Sequence, residues 1–342
     1  MAGAPCLVKQ QNTWASMSLA RAAVPLAGTP FLPPGPPFAA ADLDAWRGVE
    51  FDLPPMDPRL RALHRGRAEP TPELANLVGY GDGWANYPDY IDTLDPESPV
   101  HDKKILERAL TLHHWQALGM RCASPARVLD VGCGVGRFAT WYLDQGHDVY
   151  LIDGDLRSLR HAVWHCAGRR GRLDAYWSTA ENLPPLAETG SFDIALLAEI
   201  LNYVERPAEV VRAVGERMAP GGQVLFSVEA RWGWALASDV GPGTAEGLWT
   251  GLAHRGGDRH VRCLDERDVR AIFDGWEVSL VPSHWVLSGP FEMAVGPDIV
   301  HGAGRDGGKS ALPGLLDWER KLAENPVSAP LHRAWVGIAR RT

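Results

Sequence analysis

Val128-Leu-Asp-Val-Gly-Cys-Gly-Val-Gly136 is the stretch whose reading decides the fold. Arg127–Val131 is a short apolar run ending in glycines, as a buried strand would be. Three glycines at alternate positions follow, and Arg137–Asp144 then takes helical spacing. Glycines between a strand and a helix let the backbone pass close to a ligand, and the helix start offers unpaired N–H groups. Asp148–Ile152 is the next strand, and Asp153 closes it with a carboxylate. An acid at that strand end suits a ribose whose two hydroxyls bind one carboxylate. A dinucleotide fingerprint would need glycine at 137, where the chain has Arg137, so a pyrophosphate cradle is not expected.

Working outward, strands and helices alternate. After a helix over Asp102–Leu118, the spacing predicts helices over Leu156–Ala167 and Pro207–Arg217, with strands at Ala175–Ser178, Phe192–Ala198 and Gln223–Glu229. A helix over Asp265–Phe273, a strand at Trp276–Val281 and a last strand at Ala334–Ala339 complete the pattern. This order predicts an α/β fold, a mostly parallel sheet with helices on both faces. The alternation breaks twice, at about 230–264 and 282–330, and insertions of that length usually serve function. Residues 1–100 differ in texture. Their proline runs, such as Phe31-Leu-Pro-Pro-Gly-Pro-Pro-Phe38, predict a loop-rich arm packed on a main domain over 101–342.

Composition narrows the function. The 342 residues carry a formal charge of −8, and no basic block offers a nucleic-acid surface. No apolar run reaches the ~18–20 residues that cross a bilayer. Five scattered cysteines form neither a disulfide framework nor a CxxC metal pair, which predicts a reduced, cytoplasmic protein without a bound metal. His113 and His114 are adjacent on a helix and do not share a face, so they do not read as a metal site.

Four segments in order carry a family resemblance. They are Val128–Gly136, Thr179-Ala-Glu-Asn-Leu-Pro184, Glu199-Ile-Leu-Asn-Tyr-Val204 and Met218-Ala-Pro-Gly-Gly-Gln-Val-Leu-Phe226. Together they resemble the class I S-adenosylmethionine-dependent methyltransferases, in their small-molecule branch, over about 125–281. The resemblance implies a Rossmann-like, seven-stranded sheet and S-adenosylmethionine as cofactor. It places the cofactor on Asp130, Gly132, Cys133, Gly134, Gly136, Asp153, Gly154, Ala180, Glu181 and Glu199. Two departures stand out: Thr179 replaces the usual Asp beside the adenine, and Tyr203 replaces a common histidine. A nucleic-acid amino-methyltransferase would read Asn/Asp-Pro-Pro-Tyr/Phe after the fourth strand, where this chain has Glu199–Asn202.

The acceptor is then a small, apolar or aromatic metabolite, methylated at O, N or C. His260, His254 and Tyr203 are the candidate catalytic groups, each with a plainer reading as a surface or packing residue. Trp232, Trp234 and Tyr87 are candidate substrate contacts, against the plainer reading of aromatics that pin a glycine-rich lid or an arm. Two other classes stay open: non-methylating chemistry on the same cofactor, such as cyclisation or decarboxylation, and a non-catalytic cofactor-binding protein. The partner is a small molecule, with neither nucleic acid nor membrane; oligomeric state is open, a homodimer included.

Overall fold

The computed structural model describes residues 101–122, 125–184, 186, 191–235, 252–255, 259–285 and 306–341. The arm over 1–100, and Tyr87 with it, lies outside the described residues. In chain order the elements are α1 (His101–Ala117), β1 (Arg127–Val131), α2 (Ala139–Asp144), β2 (Asp148–Asp153), α3 (Leu156–Cys166) and β3 (Leu173–Trp177). Next come β4 (Phe192–Ala198), α4 (Pro207–Gly215), β5 (Met218–Glu229) and α5 (Arg231–Ala235). The chain continues through β6 (Leu252–Arg255), β7 (Arg259–Arg262), α6 (Glu266–Ile272), β8 (Trp276–Ser283), α7 (Leu312–Glu324), a 3₁₀ turn and β9 (Ala334–Arg341).

Seven of the strands form one sheet in the order β3-β2-β1-β4-β5-β9-β8, and β6 pairs with β7 separately. β1 runs parallel to β2 and β4, and β2 parallel to β3, while β9 is antiparallel to both β5 and β8. The sheet is mostly parallel, as the alternation predicts, and Rossmann-like with seven strands, as the resemblance implies. Parallel strands covered on both faces must be apolar throughout, and Val128, Leu129, Val131, Leu151 and Ile152 are all fully buried.

The chain forms two compact units. The first takes in Cys122–Leu196 and Ala213–Gly222; it holds β1, β2, β3, most of β4 and helices α2 and α3. The second takes in 101–121, Leu197–Arg212 and 223–341. Within it α1 lies against β5 and β9: Trp115 Nε1 donates to the carbonyl of Phe226 at 3.1 Å, and Arg340 Nη2 to that of Gly119 at 2.9 Å. Ile105, Leu106, Leu110 and Trp115 form its buried stripe at helical spacing.

Boundaries differ from the sequence reading where local chemistry intervenes. α2 starts at Ala139 because 134–138 is spent in turns before the helix can begin. The second insertion contains a full helix, α7, stitched on its exposed side by Asp317–Arg320 and Arg320–Glu324 pairs at helical spacing. The first contains the β6–β7 hairpin, in which His254 pairs directly with His260.

Candidate active site

The glycine turn is built to be close-fitting. Gly132, Gly134 and Gly136 have φ of 71°, 53° and 81°, the left-handed region where a side chain is disfavoured. The first and third have distinct jobs. The N–H groups of Gly132 and Cys133 both donate to the carbonyl of Ile152, at 2.8 and 3.1 Å, folding the turn back on β2. A Cβ at Gly136 would sit 3.2 Å from Ala162 Cα and from Cys166 Sγ, so this glycine serves the packing of α3. Gly134 faces the acid instead: its N–H donates to Asp153 Oδ2 at 2.7 Å.

Asp153 also accepts from the Asp155 N–H through Oδ1 at 2.8 Å. A carboxylate has about four lone-pair sites; the Gly154 N–H takes a third, so one remains for a ribose hydroxyl. Asp155 in turn caps α3, accepting from the Ser158 N–H and hydroxyl at 3.0 and 2.6 Å. The Ser178 N–H donates to the Asp153 carbonyl at 3.0 Å, which brings the turn carrying Ala180 and Glu181 beside the end of β2. Ala180 is buried and Glu181 half-buried.

Asp130 is the unusual group. It is buried, and its Oδ2 has no hydrogen-bond partner. Burial, then the neighbouring Asp153, pushes its carboxyl up to about 7, against the pull of Arg137. Asp153 is likewise pushed up to about 7, by burial and then Asp155, against the backbone N–H groups of Asp155, Gly134 and Gly154. A positive charge placed beside these buried carboxyls would favour their ionised forms. Cys133 is a different matter: burial and both acids hold its thiol far above its usual value, so it is neutral and no nucleophile.

The sequence reading names these residues but misses their supports. Trp177 Nε1 donates to the Gly154 carbonyl at 2.8 Å, and His165 Nδ1 meets the Val135 carbonyl at 3.0 Å. A tryptophan ending a strand next to the acid-bearing strand was the available signal for the first; nothing local marks His165.

The remaining candidates lie in the second unit. Glu199, directly after β4, has φ 60° although it is not glycine, a strain of about 1–3 kcal/mol that its surroundings must hold. Its N–H donates to the Ser227 carbonyl at 2.9 Å, and Tyr203, half-buried, closes the turn onto Ile200. Arg333 is buried against the Glu229 carboxylate; burial lowers its pKa to about 10, opposed by Tyr203, Glu199 and Glu107 in that order. Trp232 is 44% exposed on α5. The side chains of Trp234, His254 and His260 lie outside the described residues. His284, another histidine of the insertions, is fully buried, held by Glu319 and the Ser328 carbonyl. Among the described residues no group of His, Cys, Asp or Glu has the arrangement of a metal site, and no helix is long and apolar enough to cross a membrane.

A Rossmann-like sheet whose first turn is a left-handed glycine cradle between two buried acids defines a class I S-adenosylmethionine-dependent methyltransferase. The methyltransferase-domain family matches residues 104–278, more than half the chain, and the chain belongs to that family. It is 31% identical over 141 residues to the ubiquinone biosynthesis O-methyltransferase of Caulobacter sp. (strain K31), covering 41% of this chain and 55% of that protein. It is 40% identical over 101 residues to the protein of the same name from Ralstonia nicotianae, covering 30% and 42%. The match thus spans about half the length of these curated relatives. Magnesium protoporphyrin IX methyltransferase from Synechocystis PCC 6803 shares the fold, with TM-score 0.50 and 11% identity over 80% of this chain and all of that one.

The site fits S-adenosylmethionine, which carries an ammonium, a sulfonium and a ribose diol. Asp130 Oδ2, buried without a hydrogen-bond partner, suits a cation, and Asp153 keeps a lone pair for a ribose hydroxyl. The raised carboxyls give binding a pH dependence. A folded-state pKa above the unfolded 3.8 means the folded chain keeps protons that the unfolded chain has lost. Stability therefore falls as pH climbs from about 4 to about 7. A cation binding the ionised form recovers that loss. S-adenosylmethionine should accordingly bind on the order of 5–10-fold more tightly at pH 7.5 than at pH 6, below the α-amino range. Calorimetry at the two values checks this, and equal affinities would contradict it.

Proposed function

We propose that this protein transfers a methyl group from S-adenosylmethionine to a hydroxyl oxygen of a small, apolar or aromatic metabolite. The observation that carries the reading is buried Asp130, whose Oδ2 has no hydrogen-bond partner, beside the left-handed Gly132–Gly136 turn and Asp153. Oxygen is favoured over nitrogen or carbon because the matched relatives are named O-methyltransferases. S-adenosylmethionine, when bound, supplies an already activated methyl group for in-line displacement.

The chain's own residues then have three tasks. Asp130 and the Gly132–Gly136 backbone hold the methionine portion, Asp153 with Gly154 holds the ribose, and Ala180, Glu181 and Glu199 complete the cofactor contacts. Trp232, Trp234 and Tyr87 hold the acceptor by apolar contact. His260, His254 or Tyr203 takes the hydroxyl proton, a contribution of roughly 10²–10⁴-fold. Orienting acceptor and methyl accounts for more, ~7–11 kcal/mol in favourable cases. In this reading residues 1–100 form an arm on a methyltransferase domain over 101–342, and the insertions at about 230–264 and 282–330 shape the acceptor side. The acidic balance and the absence of a basic block support a small-molecule acceptor over a nucleic acid, and the odd, scattered cysteines support a cytoplasmic setting.

A pooled screen of phenols, catechols, amines and carboxylic acids with the full chain tests the proposal. Stoichiometric S-adenosylhomocysteine with a 14-Da gain on a phenol or catechol is expected. Product formed without S-adenosylhomocysteine would indicate non-methylating chemistry. Tight cofactor binding with no turnover across the screen would indicate a binding protein.

A further inference from the structure

Three segments of the second unit meet at one side chain to which neither the resemblance nor the cofactor reading gives a role. Asn202 is 2% exposed. Its Nδ2 donates to the Arg262 carbonyl on β7, and its Oδ1 accepts from the Glu229 N–H at the end of β5, at 2.9 Å. Its own carbonyl accepts from the Arg262 N–H at 2.8 Å, so Asn202 and Arg262 are joined twice. The Arg262 guanidinium returns to the same turn, donating to the carbonyls of Val204 and Glu205 at 2.9 and 3.3 Å.

The junction extends from there. The Leu264 N–H donates to the Glu229 carbonyl at 2.9 Å, and the Ala230 N–H to the Arg333 carbonyl at 3.0 Å. The Glu229 carboxylate itself lies against Arg333. One amide therefore ties the strained turn that starts at Glu199 to the end of β5 and to the strand that carries His260. His260 is two residues along β7 from Arg262 and pairs with His254 across the hairpin.

From this we infer that Asn202 is a positioning residue for the acceptor side, holding the Glu199–Tyr203 turn and the His254–His260 hairpin in fixed register. The chemistry of the amide is specific to that task. It presents one donor arm and one acceptor arm, as the Arg262 carbonyl and the Glu229 N–H require. A carboxylate would set an oxygen against the Arg262 carbonyl oxygen. Leucine, of nearly the same shape, would leave both backbone groups buried and unpaired. The glycine turn and Asp153 belong to the other unit; of the proposed cofactor contacts only Glu199 sits on the turn that Asn202 holds, and its N–H is tied separately to the Ser227 carbonyl, so cofactor affinity should change little.

The inference rests on the methyl-transfer reading for its purpose, but its test does not need an acceptor. In hydrogen exchange on the full chain, Asn202→Leu and Asn202→Asp should speed exchange at the β6–β7 amides at least tenfold. Amides of β1–β3 should be unchanged, and calorimetric S-adenosylmethionine affinity should stay within about twofold. With an acceptor from the screen in hand, kcat/KM for it should fall at least tenfold while KM for S-adenosylmethionine holds. Uniform acceleration across both units, or loss of cofactor binding, would reduce Asn202 to a general structural role and overturn the inference. So would an unchanged hairpin. If instead the screen finds no acceptor while exchange changes as expected, the methyl-transfer reading fails and the clamp stands.

Discussion

Valine at position 134 is expected to weaken S-adenosylmethionine binding by at least 100-fold while the chain still folds. Gly134 sits at φ 53° and gives its N–H to Asp153 at 2.7 Å. A β-branched residue is a strong outlier in that region, so the turn must change conformation or bear the strain. Either outcome moves the N–H from the acid and fills the space through which backbone and ligand meet. A hundredfold loss is about 2.7 kcal/mol, within reach of one misplaced turn. Circular dichroism should show the fold retained, because the close packing of the turn on α3 is at Gly136. Affinity within about threefold of wild type would make the glycine motif a structural turn only.

Alanine in place of Asp153 should cost cofactor affinity about 1.5–3 kcal/mol, the range for hydrogen bonds to a charged group. The carboxylate has a second duty, accepting from Gly134, Gly154 and Asp155, so its removal also leaves three backbone N–H groups without their acceptor. A lowered melting temperature should therefore accompany the loss of affinity. Calorimetry and a thermal melt on the same sample measure both, and unchanged affinity would remove Asp153 from the cofactor site.

How far the sequence could be read depended on whether a signal was local. β1, β4 and the glycine turn declare themselves through apolar runs and glycine spacing, and β1 and β4 fall where the spacing puts them. Asp153 was legible because it closes a strand, and the Ala180–Glu181 turn only through the resemblance of Thr179–Pro184 to the family's segment. The supports were not. Trp177 and His165 act on backbone carbonyls 23 and 30 residues away, and Asn202 acts on Arg262, 60 residues on. No periodicity encodes such pairs, since they exist only once the sheet has brought their strands together. The hairpin and α7 were hidden for another reason: glycine-rich and proline-bearing insertions mask short elements that tertiary contacts stabilise.

The most direct test of the account is a calorimetric titration of S-adenosylmethionine into the full chain at pH 7.5, repeated with Asp130→Asn. One binding site per chain is predicted for the wild type, with affinity reduced at least tenfold in the variant, where the buried carboxyl that a cation would ionise is gone. Absence of binding to the wild type at millimolar S-adenosylmethionine, or equal binding by the two proteins, would contradict it.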